Sequence, residues 1–401
     1  MASVITSFKY QIDLNLMIDD KNYTIPSESV RMIMPSYDYD KNTMPTIYMG
    51  VRLDTATYNR MVNNSDKAIL SLRIFKANNS STVSFSEPYI EGRFVYNMSS
   101  DPNYNEAYEQ YISNGKSNEL ENNYLEGEIG LMDLDLINDN RKLFNDILKD
   151  TDLISIIHRY TNHMKMCIEP FDNNQKIDQF IIPPITSITN LLSYINANYC
   201  FYKTGYRFFR DFNKTYLLSS QGNAVHDNTN KFDSIIISIR NPLDDMGKVN
   251  SMELDSENHA YIINVNANDT SIKVDKMANH QFNSIIGVDT LGNISEAELA
   301  IPSTPEMTQK YILERVATNN FDKILNTKNT IESVSVALTI SKTEIDSTII
   351  TPNKQYQVRN YEDNRQYDGK YILSFKKEVL LRQDDNYISS VMFGLRKVSE
   401  E

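Results

Sequence analysis

Residues 183–219 read PPITSITNLLSYINANYCFYKTGYRFFRDFNKTYLLS, and their periodicity changes once. Pro183 and Pro184 disfavour helix behind them and push Ile182 towards extended backbone. A Ser or Thr between Thr186 and Thr189 can accept the free N–H groups that open a helix. Ile188, Leu191, Leu192 and Ile195 then recur at helical spacing and make one apolar stripe. From Tyr199 the pattern becomes strand-like. Phe201, Tyr206, Phe208, Phe209, Phe212, Tyr216, Leu217 and Leu218 form aromatic-rich β segments, interrupted at Lys203-Thr204-Gly205 and from Asp211 to Lys214. The segment holds no nucleophile and no metal cage. It is surface for packing and pairing, which points to assembly.

Upstream, strand-like runs alternate with polar turns: Phe8–Ile18, Val30–Pro35, Thr46–Leu53, Ala68–Phe75 and Tyr89–Met98, with a short helix over Asp54–Val62. Asp19-Asp20-Lys21-Asn22 and Asn78-Asn79-Ser80 suit turns, because Asn and Asp tolerate left-handed backbone. Residues 99–124 are acidic and nearly free of aliphatics, so they read as a long exposed loop, with or without a short helix, ordered only by a partner if at all. Leu125–Leu136 reads as a strand pair or as a strand and turn. The spacing of Leu143, Ile147, Leu148, Ile154 and Ile157 predicts a helix over Asn140–Tyr160 with those residues inward and a possible break near Asp150-Thr151-Asp152. Met164–Pro170 and Ile177–Ile182 read as strands around the turn Asp172-Asn173-Asn174.

The second half repeats the logic. Phe232–Arg240, Ala260–Val265, Ser271–Val274, Ser284–Val288 and Glu298–Ile301 read as strands, then a helix from about Thr304 to Leu325 with Pro305 in its first turn. Val334–Ile340, Gln355–Arg359, Lys370–Leu381 and Ser389–Val398 close the chain as β structure. The expected fold is α+β and β-rich. It consists of two tube-type antiparallel β-barrel domains, an inserted mixed α/β domain and helical insertions. Expected boundaries are 1–125 for the first barrel, completed by about 200–225, then 126–200 for the insertion and 226–401 for the second barrel.

At 401 residues the chain is too long for one ordinary domain. Mean hydropathy of -0.46 marks a very polar surface, and without Trp the burial rests on Tyr, Ile, Leu and Phe. The formal charge of -13 argues against nucleic-acid binding, whose affinity comes from neutralising phosphates. Two cysteines, Cys167 and Cys200, are too few for a secreted disulfide scaffold. MASVITSFKY has neither the basic start nor the apolar core of a signal peptide, and no apolar run approaches the length of a membrane span. The expectation is a soluble protein made in a reducing cytoplasm.

Candidate chemistry fails test by test. Asp38-x-Asp40-x-Asn42 begins like a calcium loop, but Thr43 replaces the turn glycine and Met49 the bidentate Glu. His158 and His163 are spaced for different helix faces, whereas a zinc pair on a helix needs a spacing of four with a Glu between. His226, His259 and His280 lie in unrelated polar contexts, and both cysteines read as small buried apolar residues. There is no Gly-x-Ser-x-Gly elbow and no Gly-rich phosphate loop. Phage-type lysozymes carry a Glu, eight residues, an Asp, five residues and a Thr. Glu126 with Asp135, and Glu169 with Asp178, match the first spacing, but Arg141 and Pro184 stand where the Thr belongs. No catalytic residue, metal site or cofactor is expected.

One resemblance spans most of the chain. The run from Pro183-Pro184 to TYLLS is similar to the tail or baseplate hub proteins of tailed bacteriophages. Also similar are the opening FKYQIDLNLMID, the stretch EGEIGLMDLDLINDNRKLFNDILKDTDLISIIHRY, then MKMCIEPFDNNQKIDQFIIPP, and the closing DGKYILSFKKEVLLRQDDNYISSVMFGLRKV. The likeness is of pattern, without an invariant signature, and residues 226–300 carry least of it.

The resemblance implies a structural, non-enzymatic virion protein at the tail tip or baseplate, assembled in the host cytoplasm. Such hubs are homotrimers in which each chain gives two tube-like barrels, adapting a sixfold tail tube to a threefold central spike. The implied partners are the tail tube protein, the central spike protein, the tape measure and other baseplate proteins. DNA would pass through the channel without specific binding, during genome ejection. Three copies carry three times -13, so an acid-lined annulus would let DNA pass; acidity that serves solubility alone is the alternative. The strands Lys370–Leu381 and Ser389–Val398 would offer edges between neighbours. Tyr206, Phe208, Phe209, Tyr371, Phe375 and Phe393 are the candidate interface anchors, with an ordinary core as the alternative. Two other readings remain open: a peripheral baseplate or receptor-binding tail protein, and a cell-wall-degrading tail enzyme.

Overall fold

The computed structural model describes residues 8–39, 44–78, 87–100, 124–199, 201–202, 205–212, 214–220, 224–225, 233–240, 251–255, 259–275, 284–288, 294–298, 311–315, 335–343, 345–360 and 362–398. The first strands are β1 (Phe8–Ile18), β2 (Lys21–Ile25), β3 (Val30–Asp38) and β4 (Thr46–Asp54). Helix α1 (Thr55–Asn63), β5 (Ile69–Asn78), β6 (Pro88–Ser100) and β7 (Tyr124–Asp133) follow. Then come α2 (Leu134–Asn140), β8 (Leu143–Asp152), α3 (Leu153–Thr161), β9 (Met166–Ile168), β10 (Lys176–Thr186), α4 (Ile188–Tyr199), β11 (Tyr206–Arg210) and β12 (Thr215–Ser219). The second half holds β13 (Ser234–Arg240), β14 (Ser251–Asp255), β15 (Ala260–Asn266), β16 (Thr270–Asp275), β17 (Ser284–Val288), β18 (Ile294–Glu298) and β19 (Tyr311–Arg315). It closes with β20 (Ser335–Thr343), β21 (Gln355–Asn360), β22 (Gly369–Gln383) and β23 (Asn386–Lys397).

Strand alternation is clean where one face is buried. In β1, Ile12, Leu14 and Leu16 point inward while Gln11, Asn15 and Met17 face out. Helices start where an Asp accepts an otherwise unpaired N–H. Asp54 takes Thr57 N at 2.9 Å, Asp133 takes Leu136 N at 3.0 Å and Asp152 takes Ser155 N at 2.9 Å. Ser187 does the same for α4, accepting from Asn190 N at 3.2 Å at a positive φ of 70°.

One sheet of 15 strands runs through both halves of the chain. Its order is β14-β15-β13-β21-β22-β3-β4-β7-β6-β5-β1-β2, with β23, β20 and β16 continuing from β22. The two halves meet along β22. Its start pairs with β21, Tyr371 opposite Tyr356, and its remainder pairs with β3, from Phe375 opposite Asp38 to Leu381 opposite Met32. Strand β23 lies antiparallel along the whole of β22. Beyond the hairpin turn, the Asn386 amide bridges Phe8 O at 3.2 Å and Tyr10 N at 3.3 Å, tying the tip to β1.

The rest forms smaller sheets: β10-β8, β11-β12-β9 and β18-β17-β19. A second core, separate from that of the large sheet, packs α3 and α4 on β8 and β10 around Ile156, Leu192, Phe180 and Ile182.

Register also fixes an outward face on the large sheet. Ile388, Leu381, Met32 and Gly50 lie in one row across β23, β22, β3 and β4; Met34, Tyr48, Gly130 and Asn97 lie in the next across β3, β4, β7 and β6. Lys377, Ser36, Thr46, Met132 and Val95 make a third.

Several expectations are corrected. Asn140–Tyr160 is not one helix: β8 occupies Leu143–Asp152, and the helix begins only at Leu153. The backbone of β8 is satisfied by β10, and Asp152 supplies the cap that a helix needs, so pairing overrides the apolar spacing. Leu143 and Ile147 consequently face solvent. Leu125–Leu136 is strand only to Asp133; α2 takes Leu134–Asn140. Pro183 and Pro184 do not end β10 but lie in an irregular stretch where the register shifts between Ile182 and Ile185. In the expected helix 304–325, Tyr311–Arg315 is a strand because its backbone pairs in parallel with β17; the other residues lie outside the described ones. Most of the loop 99–124 and of Asp38–Asn42 lies outside them too, as do Cys200, His226 and His280. Strands β22 and β23 are interior rather than edges, since each is paired on both sides.

Gly394 lies opposite Phe375, and a Cβ there would collide with the Phe375 ring. Gly394→Ala is expected to destabilise by about 1–3 kcal/mol through overpacking. The double variant with Phe375→Leu should regain most of that loss in urea unfolding. Additive losses would show that the ring does not press on this glycine.

Candidate functional site: a buried polar joint

The hairpin β11–β12 alternates between two cores. Phe209, Tyr216 and Leu218 enter the core of the large sheet, whereas Phe208 and Leu217 enter the helical one. The ring of Phe209 lies 4.8 Å from Tyr39, and Phe212 lies 5.4 Å from Tyr37 and 5.6 Å from Phe94. Aromatic pairs at such separations add to simple burial. Arg207 donates from Nη1 to Leu373 O at 3.2 Å, reaching the backbone of β22. Arg210 sits among Asp133 (3.6 Å), which caps α2, and Asp135 and Asp139 (both 3.9 Å) within it. Asp139 also holds His163 at 2.9 Å and Lys142 at 2.6 Å.

Next to this hairpin a cleft of about 660 Å³ opens between β3, β6, β22, Lys165, the residues Asp211, Phe212, Lys214 and Tyr216, and the 3-10 turn Ser347–Ile349. Its floor is charged although buried. Glu378 is 1% exposed and accepts from Ser347 Oγ at 2.9 Å and Ser389 Oγ at 3.0 Å, with Tyr89 OH at 3.4 Å from its other oxygen. Lys376 donates to Ile350 O at 3.0 Å and Ser347 O at 3.4 Å, and lies 4.8 Å over the Tyr37 ring. Burial pulls the Lys376 ammonium below the usual lysine range. Burial pushes the Tyr37 and Tyr89 hydroxyls far above theirs, so both stay neutral.

Beside them Lys76 of β5 pairs with Asp346, which also accepts from Thr348 N at 2.9 Å. Burial works to raise the Asp346 pKa, but Lys76 and Thr348 outweigh it and hold the carboxyl below its ordinary 3.8. These contacts tie residues 346–350 to strands from the beginning of the chain.

The arrangement joins separate parts of the chain. The Lys376 Nζ is engaged by two carbonyl oxygens and an aromatic face, and Glu378 is engaged by hydroxyls. Among the described residues, no group of three or more His, Cys, Asp or Glu could hold a metal ion. Of the carboxylates with lysozyme-like spacing, Glu169 is buried and accepts from Ser219 N at 2.8 Å and Ser219 Oγ at 2.9 Å; Asp135 pairs with Arg93 at 2.8 Å. Cys167 is a buried core residue, and His158 is exposed. No described helix is long and apolar enough to cross a membrane.

Of the candidate anchors, Phe208, Phe209, Tyr371 and Phe393 are almost fully buried within the one chain. Phe209, Tyr371 and Phe393 belong to the core of the large sheet and Phe208 to the helical one. Tyr206, bonded to Ser193 at 2.7 Å, and Phe375 are half-buried. The residues of the joint went unremarked in the sequence. Their signal lay in the alternation Lys376-x-Glu378-x-Leu380, which puts two charges on the side of a core leucine.

The sequence profile of the family described as "Bacteriophage PBS1 gene 109 protein" matches residues 1–398. Among solved structures, the chain is similar to a tail protein of Neisseria meningitidis MC58 at 10% identity, covering 96% of each chain with a TM-score of 0.51. It is also similar to the 43 kDa tail protein of prophage MuSo2 from Shewanella oneidensis, at 9% identity, 96% of each chain and a TM-score of 0.50. At such identities the likeness concerns the fold. No curated protein matches the chain significantly.

Asp346 is the residue through which acid should loosen the joint. A carboxyl held low in the fold contributes stability that is complete above about pH 4 and lost as pH falls through its folded value. Asp346→Asn should cost about 3 kcal/mol at neutral pH, the low end for breaking a buried pair. It should also flatten the decline in stability as pH falls below about 4. Parallel acid limbs in urea unfolding would refute the assignment.

Proposed function

The chain belongs to the bacteriophage PBS1 gene 109 protein family, and from that membership we propose that it is a structural protein of a phage tail, the hub of the tail tip or baseplate. The observation that carries this reading is the joint: its buried and partly buried charges fasten one part of the chain to another, in a fold similar over 96% of the chain to two tail proteins. A hub transmits load and symmetry, so it needs a stiff connection between its β regions more than it needs a reactive group.

On this reading the strands of the two halves are two tube-like barrel units, of residues 1–125 and 226–401, fastened by the β22–β23 hairpin, with 126–200 inserted between them. Three chains form a ring that meets the tail tube on one side and a central spike on the other. The ring leaves a channel through which DNA passes without specific contact. Tube, spike and tape measure are the partners, and the protein performs no catalysis. Tyr206 and Phe375 remain candidate contact residues within such a ring.

Sedimentation of the purified chain with and without tail tube protein tests the proposal. The expected particle has three times the 46.3 kDa chain mass and caps tube ends in electron micrographs. Antibody labelling confined to peripheral fibres would favour a receptor-binding role instead. Clearing of host cell walls in a zymogram would overturn the non-enzymatic reading.

A further inference from the structure

We propose that the outward face of β22, β3, β4 and β7 seats a second copy of this chain, which docks on it the exposed side of its β8–β10 ladder. The proposal rests on the ring reading above and names its contact.

The first surface is apolar and nearly uncharged. Leu381 and Ile388 face each other across β22 and β23 and are 53% and 50% exposed. Tyr48 is 49% exposed and Met132 44%, and Gly50 and Gly130 form a low floor in the adjacent rows. In the three rows only Lys377 and Glu128 carry charge among the described side chains, and charged residues return at both ends with Arg52, Glu126 and Asp38. An apolar centre inside a charged rim is the anatomy of a protein interface rather than of free surface. With strands about 4.8 Å apart and like-facing residues about 6.8 Å apart, the six strands give a footprint of roughly 600 Å². With side-chain relief, that approaches the area of about 800 Å² per partner typical of specific contacts.

The second surface is unlike the first. Ile147 stands directly opposite Ile181, 58% and 54% exposed, with Leu143 at 66% on the same side. The other side of this two-stranded ladder is buried by α4 through Phe180 and Ile182. Large exposed apolar residues clustered on so small a ladder serve as anchors for a larger, flatter seat.

Two arguments select a second copy as occupant. Each chain carries -13, so identical chains repel wherever charge is spread, and they approach with least cost where charge is absent. In addition, one chain bearing two different apolar patches has what a head-to-tail contact requires. Such a contact, repeated about an axis, closes a ring.

Mixing variants tests the pairing. One carries Tyr48→Asp with Leu381→Asp; the other carries Ile147→Lys with Ile181→Lys. All four side chains are about half exposed or more, so both variants should fold, which thermal unfolding checks. Sedimentation is expected to show assembly of the unmodified chain, loss of assembly by each variant alone, and a heterodimer that grows no further when the two are mixed. If the β8–β10 variant still assembles alone, the flat face meets itself and the proposal falls. It falls equally if both variants assemble like the unmodified chain, or if the mixture stays monomeric. The hub reading is judged separately, by whether the chain is found at the tail tip of purified phage. Its presence there, with assembly indifferent to both variants, would leave the ring standing and remove this contact.

Discussion

The pairing of β22 with β3 holds this molecule together. One 15-residue strand completes the ladder of the second half at its start and that of the first half along the rest. Without it, the large sheet would come apart at β22–β3 into strands from opposite ends of the chain, each with an open edge. The bond is long-range in sequence, so its closure entropy is repaid only when both halves have already formed enough structure to present their edges.

Around that pairing lie charged groups that are buried or partly buried. Lys376, Glu378, Lys76 and Asp346 lie at one junction, and Arg210 with Asp133 and Asp139 lies at a second. Removing such groups from water costs several kcal/mol each, which the partners must offset, so they contribute little net stability. They do discriminate: a hydrophobic contact tolerates sliding, whereas a carboxylate that accepts from Ser347 and Ser389 does so in one register only. Asp133 illustrates the balance, since burial raises its pKa even with Arg210 beside it.

Legibility followed from locality. The helix Ile188–Tyr199 and the β11–β12 hairpin were readable because their periodicity and turn residues are contained within them. So were most strands of both ends. The error at Asn140–Tyr160 arose because Leu143 and Ile147 carry helical spacing, while the partner that makes them a strand, β10, lies some thirty residues on. Of the aromatic residues singled out as interface anchors, Phe208, Phe209, Tyr371 and Phe393 lie in the cores of the chain. What they pack against was invisible: Phe209 meets Tyr39, at a sequence distance that no window spans.

By itself the sequence determined that this is a β-rich, acidic chain without a recognisable catalytic constellation, because composition and short-range periodicity are local properties. Only the tertiary structure decided which side of each strand faces inward. In SFKKEVLL, alternation places Lys376 and Glu378 on one side and Val379 and Leu381 on the other, and hydropathy favours burying the second pair. The fold does the reverse. Register with β3 and β23 turns Lys376, Glu378 and Leu380 into the interior and Val379 and Leu381 outward. A strand has no preference between its two faces until its neighbours are in place, and the inversion at β22 yields both the buried joint and the uncharged outer face.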